Sequence, residues 1–241
     1  MSTEYIFLFK ILLKNKKMCY YKIIKFTQEV FIMKTFLFQG DSITDADRRR
    51  EDINNFGYGY PNIVAAKYMS EYPNKFTFIN KGISGNRIVD LYARIKIDLI
   101  NLKPDYLSIL IGINDVWHEL SSENGVDNEK FKKILSMLIE EVKEALPEIK
   151  IIMLEPFVLK GPATEENWAE FRSETELRAK TVKEVSEKYN LGFVPLQDKF
   201  DELSKNTETT YWLADGVHPT AAGHGVIAKA LSEEFDKIHN A

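Results

Sequence analysis

From Lys34 onward, short apolar runs alternate with longer segments whose apolar residues recur at helical spacing. The runs Thr35–Gln39, Phe76–Asn80, Tyr106–Ile111, Lys150–Glu155 and Gly192–Leu196 have the length and polarity of buried strands. Between them, stretches at about Tyr60–Glu71, Arg87–Leu99, Asn128–Ala145 and Trp168–Tyr189 predict helices. After Pro219 the chain repeats Ile227, Leu231, Phe235 and Ile238, which form one apolar helix face. Strands separated by helices of this length require crossover connections, so the sheet is parallel and covered on both sides. With no internal repeat and no linker-like stretch, the pattern predicts a single α/β domain built on five strands.

Composition supports a folded domain: 44% of the 241 residues are hydrophobic and 28% charged. The net charge of −4 is unevenly spread. Residues 1–33 hold six lysines against Glu4 and Glu29, which leaves 26 basic and 34 acidic residues, out of totals of 32 and 36, for the rest. That acidic body argues against nucleic acid as a partner. Cys19 is the one cysteine, which excludes an intramolecular disulfide and suits a reducing, cytoplasmic setting.

The first 33 residues differ in character from the rest of the chain. Apolar Tyr5–Phe9 and Ile11–Leu13 are interrupted by Lys10 and trailed by Lys14, Lys16 and Lys17, the reverse of a secretory signal. The apolar stretch is also too short to span a membrane. A basic, aromatic segment of this kind could touch a membrane surface. The simpler expectation is an appendage on a fold that starts near Met33–Lys34, giving an extension over 1–33 and a domain over 34–241.

The candidate chemistry lies in four loops. Gly40-Asp41-Ser42-Ile43 leaves the C-terminal end of the first strand, the edge at which ligands gather in an open parallel sheet. Ser42 is a candidate nucleophile there, although Gly-Asp-Ser is also ordinary turn chemistry. Asn80-Lys81-Gly82-Ile83-Ser84-Gly85-Asn86 comes after the second strand and opens a helix. It reads either as a glycine turn or as a source of backbone anion donors. Gly112-Ile113-Asn114-Asp115 comes after the third strand, and Asn114 offers either a side-chain oxyanion donor or an Asx turn. Asp215-Gly216-Val217-His218-Pro219 places a carboxylate three residues before an imidazole, ahead of the last helix. That pair suits a triad, a metal pair or a helix cap.

Few residues compete for the role of base. His239 is terminal, His224 shares a helix face with Ile227 and Leu231, and His118 has no acid in register. His218 is the remaining candidate.

These four blocks, in order and spacing, resemble those of the SGNH hydrolases, the GDSL esterase and lipase family. The match runs from about Lys34 to the C-terminus, with Ile43 where the family name has Leu. The resemblance implies a flavodoxin-like three-layer α/β/α fold with a five-stranded parallel sheet. It also implies a Ser42–His218–Asp215 triad and an oxyanion hole made by the Ser42 and Gly85 amides and the Asn114 side chain. No cofactor or metal is implied. A narrower resemblance, to the acetylxylan esterase branch, lies in Gly40–Asp45 with Arg48, in Asn80–Asn86, and in Lys103-Pro104-Asp105 leading to Ile111–Trp117. It implies acetyl esters of xylan or xylo-oligosaccharides as substrate.

Asp41, Tyr58, Trp117 and Trp212 flank the blocks as candidate substrate contacts. The rings of Tyr58, Trp117 and Trp212 offer flat faces to sugars or packing beneath the loops. Arg48 could face the site, while Arg49 to Asp52 read as a solvated loop. Other readings are a lipase, lysophospholipase or thioesterase of the same family, a flavodoxin-like nucleotide or phosphate binder, and a metal hydrolase on Asp41, Asp45, Asp47 and Asp215. A homo-oligomer is compatible with the sequence, which does not specify oligomeric state.

Overall fold

The structure, a computed structural model, describes residues 33–239. The basic segment and Cys19 lie outside the described residues, as do the expectations attached to them. Five strands, β1 (Lys34–Gly40), β2 (Phe76–Asn80), β3 (Tyr106–Leu110), β4 (Lys150–Leu154) and β5 (Gly192–Val194), form one sheet in the order β2-β1-β3-β4-β5. Every pairing is parallel. The helices are α1 (Ser42–Asp45), α2 (Tyr60–Glu71), α3 (Ile88–Ala93), α4 (Ile95–Asp98), α5 (Ile113–Ser122), α6 (Asn128–Ala145), α7 (Trp168–Tyr189), α8 (Gln197–Leu203), α9 (Thr209–Trp212) and α10 (Ala221–His239).

Alternation along the strands divides the core into two layers. Phe36, Phe38, Phe78, Ile152 and Leu154 pack with Tyr60, Val64 and Tyr68 of α2 and with Ile227, Leu231 and Phe235 of α10. Leu37, Leu107, Ile109, Ile151 and Met153 point the other way, onto Ile88 and Leu91 of α3, Leu135 and Ile139 of α6, and Val182 and Val185 of α7. The three-layer α/β/α architecture expected from the alternating pattern is therefore the one observed. No described helix is long and apolar enough to cross a membrane.

Two departures have local causes. The stretch Arg87–Leu99 forms two short helices broken at Arg94, which caps α3 and precedes α4 with φ −110° and ψ 10°, and a 3-10 turn follows at Ile100–Leu102. The last strand is shorter than its apolar run because Pro195 has no N–H to continue the ladder.

The strand order sets the position of the site. β1 sits between β2 and β3, so the chain leaves β1 toward one edge and later returns to its other side. The loops after β1 and β3 diverge at that point, opening a crevice at the C-terminal ends of the strands. Ser42 and Asn114 lie at the starts of those two segments.

Candidate active site

Ser42 is the first residue of α1, a helix of four residues capped by Asp41, whose Oδ1 accepts from the Ile43 amide at 3.0 Å. Its Oγ lies 3.0 Å from Nε2 of His218. Nδ1 of His218 lies 2.7 Å from Oδ2 of Asp215. Oδ1 of Asp215 in turn accepts from the amides of Val217 and His218, at 2.9 and 2.8 Å. The turn therefore spends one carboxylate oxygen on its own backbone and aims the other at the imidazole. Leu213 pairs with Pro219 across this turn and closes it.

These contacts set the charges. Burial pushes the Asp215 carboxyl up, but the His218 ring and the two amides outweigh it and hold its pKa at about 2. The Asp215 carboxylate raises the His218 pKa from its ordinary value against the opposing effect of burial, and the charge of Asp41 adds to the rise. His218 acts as a base only when neutral, so the acid limb of an activity profile is displaced upward from the usual imidazole range.

The oxyanion candidates converge on the same edge. Gly85 has φ +81°, a backbone angle that glycine adopts without strain. Gly82 permits a close approach, because a Cβ there would stand 2.3 Å from the Asp45 amide nitrogen. Asn114 sits in the first turn of α5 and donates from Nδ2 to the carbonyl of Asn86 at 3.1 Å. A carboxamide has two N–H donors, so one braces the glycine loop and the other is available to a ligand.

Residues 38–226 match the GDSL-like lipase/acylhydrolase family. This chain belongs to that family. An acetylxylan esterase of Geobacillus stearothermophilus is 36% identical over 209 residues, 83% of this chain and 92% of that protein. The crystal structure of a Geobacillus stearothermophilus acetylxylan esterase has a TM-score of 0.75 at 35% identity, covering 83% of this chain and 93% of its own. A Parabacteroides merdae protein of GDSL-like lipase type has a TM-score of 0.79 at 36% identity, covering 85% and 97%. The solved forms of the Geobacillus esterase include two catalytic mutants, one with an aspartate and one with a serine replaced by alanine. The chain is a carboxylic ester hydrolase.

Other sequence candidates sit differently in this GDSL-like hydrolase. Asp41, expected as a substrate contact, is fully buried and serves as the cap of α1. Arg48 does not face the crevice; its side chain is 6% exposed and donates to the Gly82 carbonyl at 3.0 Å. The buried His224 accepts from the Tyr60 amide, and burial lowers its pKa to about 4, so it packs as a neutral ring. Tyr58 is 67% exposed. Trp212 packs against the core, its indole nitrogen buried. Trp117 stands beside His218, with ring centroids 5.6 Å apart.

The carboxylates considered for a metal are dispersed. Asp41 caps α1, Asp45 accepts from Ser84 and Arg50, and Asp215 faces His218. Among the described residues, no group of three or more His, Cys, Asp or Glu is arranged to hold a metal ion.

Residues not assigned a role from the sequence hold the glycine loop in place. The Arg94 guanidinium donates to Asn86 Oδ1 at 2.8 Å, to the Lys81 carbonyl at 2.8 Å and to the Gly40 carbonyl at 3.2 Å. One side chain thus ties the end of β1 to both ends of the segment carrying Gly85. Asn80 bonds the Thr44 and Phe56 carbonyls and accepts from the Gly82 amide. Asp115 accepts from the Ile88 amide at the start of α3.

Asp41 leaves a measurable trace. Burial raises its pKa to about 7, against the Ile43 amide and the charge of His218. In the unfolded chain an aspartate ionises near 3.9. Between those values the folded protein holds a proton that the unfolded chain has released, so stability falls as pH rises through the window. Asp41→Asn removes that dependence. The melting temperature of the variant relative to wild type should rise by several degrees from pH 4 to pH 7; a constant difference would show that Asp41 is ionised throughout.

Proposed function

We propose that residues 34–241 form a serine esterase that removes acetyl groups from xylan-derived oligosaccharides. The observation carrying this reading is the Ser42–His218–Asp215 hydrogen-bonded chain, in a family member 36% identical to an acetylxylan esterase.

His218 takes the Ser42 proton as Oγ attacks the ester carbonyl. Charge that builds on the carbonyl oxygen meets the amides of Ser42 and Gly85 and the second Nδ2 hydrogen of Asn114. The Ser42 amide lies in the first turn of α1, where backbone N–H groups have no intrahelical acceptor. The imidazolium, held by Asp215, then protonates the leaving alcohol. Water, activated by the same imidazole, releases acetate from Ser42 in the second half of the cycle.

An open site favours a small acyl group on a bulky alcohol. The His218 side chain is 42% exposed, and Tyr58 at 67% and Tyr211 at 57% present aromatic surface to solvent. Such rings suit the apolar faces of sugars. The acidic body, 34 acidic residues against 26 basic ones out of totals of 36 and 32, also suits a neutral saccharide better than a nucleic acid.

The test is a comparison of p-nitrophenyl acetate with butyrate and octanoate esters, beside acetate release from acetylated xylo-oligosaccharides. Acetyl should be preferred to octanoyl by tenfold or more in kcat/KM, with efficient oligosaccharide deacetylation. A preference for octanoyl would replace the sugar reading with a lipid one.

A further inference from the structure

Trp117 lies on α5 three residues after Asn114, so one helical turn brings the carboxamide and the indole to the same face. The indole is tilted 50° to the His218 ring at 5.6 Å between centroids. Phe171 of α7 also meets Trp117, at 6.0 Å between centroids with a 65° interplanar angle, and helps to fix the indole. A cation within about 6 Å of an indole is attracted by the negative face of its π system. At a pH above its pKa, the His218 ring becomes such a cation when it takes the serine proton.

We propose that Trp117 is a positioning residue for the reaction, stabilising the His218 imidazolium through its π face and thereby the transition state. This rests on the Ser42–His218–Asp215 mechanism and extends it. Each time Oγ–carbon bonding sends electrons onto the carbonyl oxygen, the serine proton moves to Nε2 and the positive charge appears on the ring beside Trp117. When that proton passes to the leaving alcohol, the charge and the added attraction vanish together. An interaction present in the transition state and weak in the ground state raises kcat and leaves substrate affinity largely unchanged. A platform for a sugar ring would do the reverse, raising affinity in the ground state.

The other groups that act on His218 are accounted for. Asp215 and Asp41 favour its protonated form, from its own turn and from the turn before α1. His224 of α10 is neutral through burial and adds no charge near neutral pH. Trp117 contributes a field that none of these supplies.

The experiment compares Trp117→Phe with Trp117→Leu. Both remove the bulk of the indole, and they differ chiefly in retaining or losing a π face. With p-nitrophenyl acetate, the Leu variant should lose about 3- to 30-fold in kcat, with KM changed less than twofold. The Phe variant should retain more activity. The acid limb of kcat/KM, and the His218 imidazole pKa measured by NMR, should lie lower in Leu than in Phe. Equal imidazole pKa values in the two variants would overturn the proposal, as would a rise in KM with kcat unchanged. Loss of the underlying mechanism reads differently: His218→Ala would retain wild-type activity, and the wild-type profile would have no acid limb.

Discussion

Ser42→Ala should lower kcat/KM for p-nitrophenyl acetate by about 10⁵-fold or more, leaving only the background that binding and oxyanion donors sustain. The chain of bonds explains the size. In the proposed mechanism Oγ, 3.0 Å from His218 Nε2, both forms the acyl bond and passes its proton to the imidazole. The three side chains act as one unit in that mechanism, so their losses should not add. Ser42→Ala combined with His218→Ala should be no slower than either alone, within about threefold. Asp215→Asn is a subtler lesion. Its side-chain oxygen can still accept from the Val217 and His218 amides, but the amide nitrogen presents a donor to Nδ1 and favours the wrong tautomer. A fall of roughly 10⁴-fold in kcat is expected there, with the turn intact. Alanine suits the first turn of α1, so the Ser42→Ala protein should melt close to wild type. Retention of even one per cent of activity in the folded variant would reject Ser42 as nucleophile.

The sequence announces some of these parts and conceals others for definite reasons. Ser42, His218 and Asp215 are legible because each sits in a short, polar block beside an apolar run, and the run marks the sheet edge. The strands are legible because Phe36 and Phe38 alternate with Leu37, and Ile152 and Leu154 with Ile151 and Met153, across the two buried faces. Helix α5 is legible in principle, since Ile113, Val116, Trp117 and Leu120 recur at helical spacing. The polar residues between them give the segment the look of a loop and hide it. That spacing also puts Trp117 on the Asn114 face. Helix α1 carries no such signal, since four residues cannot show a period.

Asp41 and Arg48 show the opposite failure, charged residues whose place beside the motif suggests contact with the ligand. Both are buried, and their hydrogen bonds go to the backbone of the machinery: the Ile43 amide for Asp41 and the Gly82 carbonyl for Arg48. Arg94 is further from view. Asn86 and Lys81 lie 8 and 13 residues before it, but Gly40 lies 54 residues before it, and only folding brings the end of β1 against the glycine loop. Burial of a charge that serves backbone carbonyls leaves no periodicity to detect. It does leave a broken helix, because the break at Arg94 interrupts an otherwise apolar helical stretch.

Asn114→Ala should lower kcat for acetyl esters by about 10²- to 10³-fold, equivalent to roughly 3–4 kcal/mol of transition-state stabilisation. KM should change little, since a neutral ester carbonyl gains much less from the donor than an oxyanion does. The side chain is 5% exposed, so its free N–H acts where water competes poorly. Truncation also releases the Asn86 carbonyl from its 3.1 Å bond, at a cost of about 1 kcal/mol in stability. Inhibition separates the two effects. A boronic acid should form a tetrahedral adduct on Ser42 and borrow the proposed oxyanion donors, so its inhibition constant should rise with the fall in kcat. Loosening of the glycine loop alone would raise KM and the inhibition constant together. Asn114→Asp sharpens the contrast, because an ionised carboxylate occupies nearly the same volume but can only accept. It should be slower than alanine at neutral pH, with a negative charge facing the developing oxyanion. An aspartate variant as active as wild type would remove Asn114 from the oxyanion hole and leave it as a brace for Asn86.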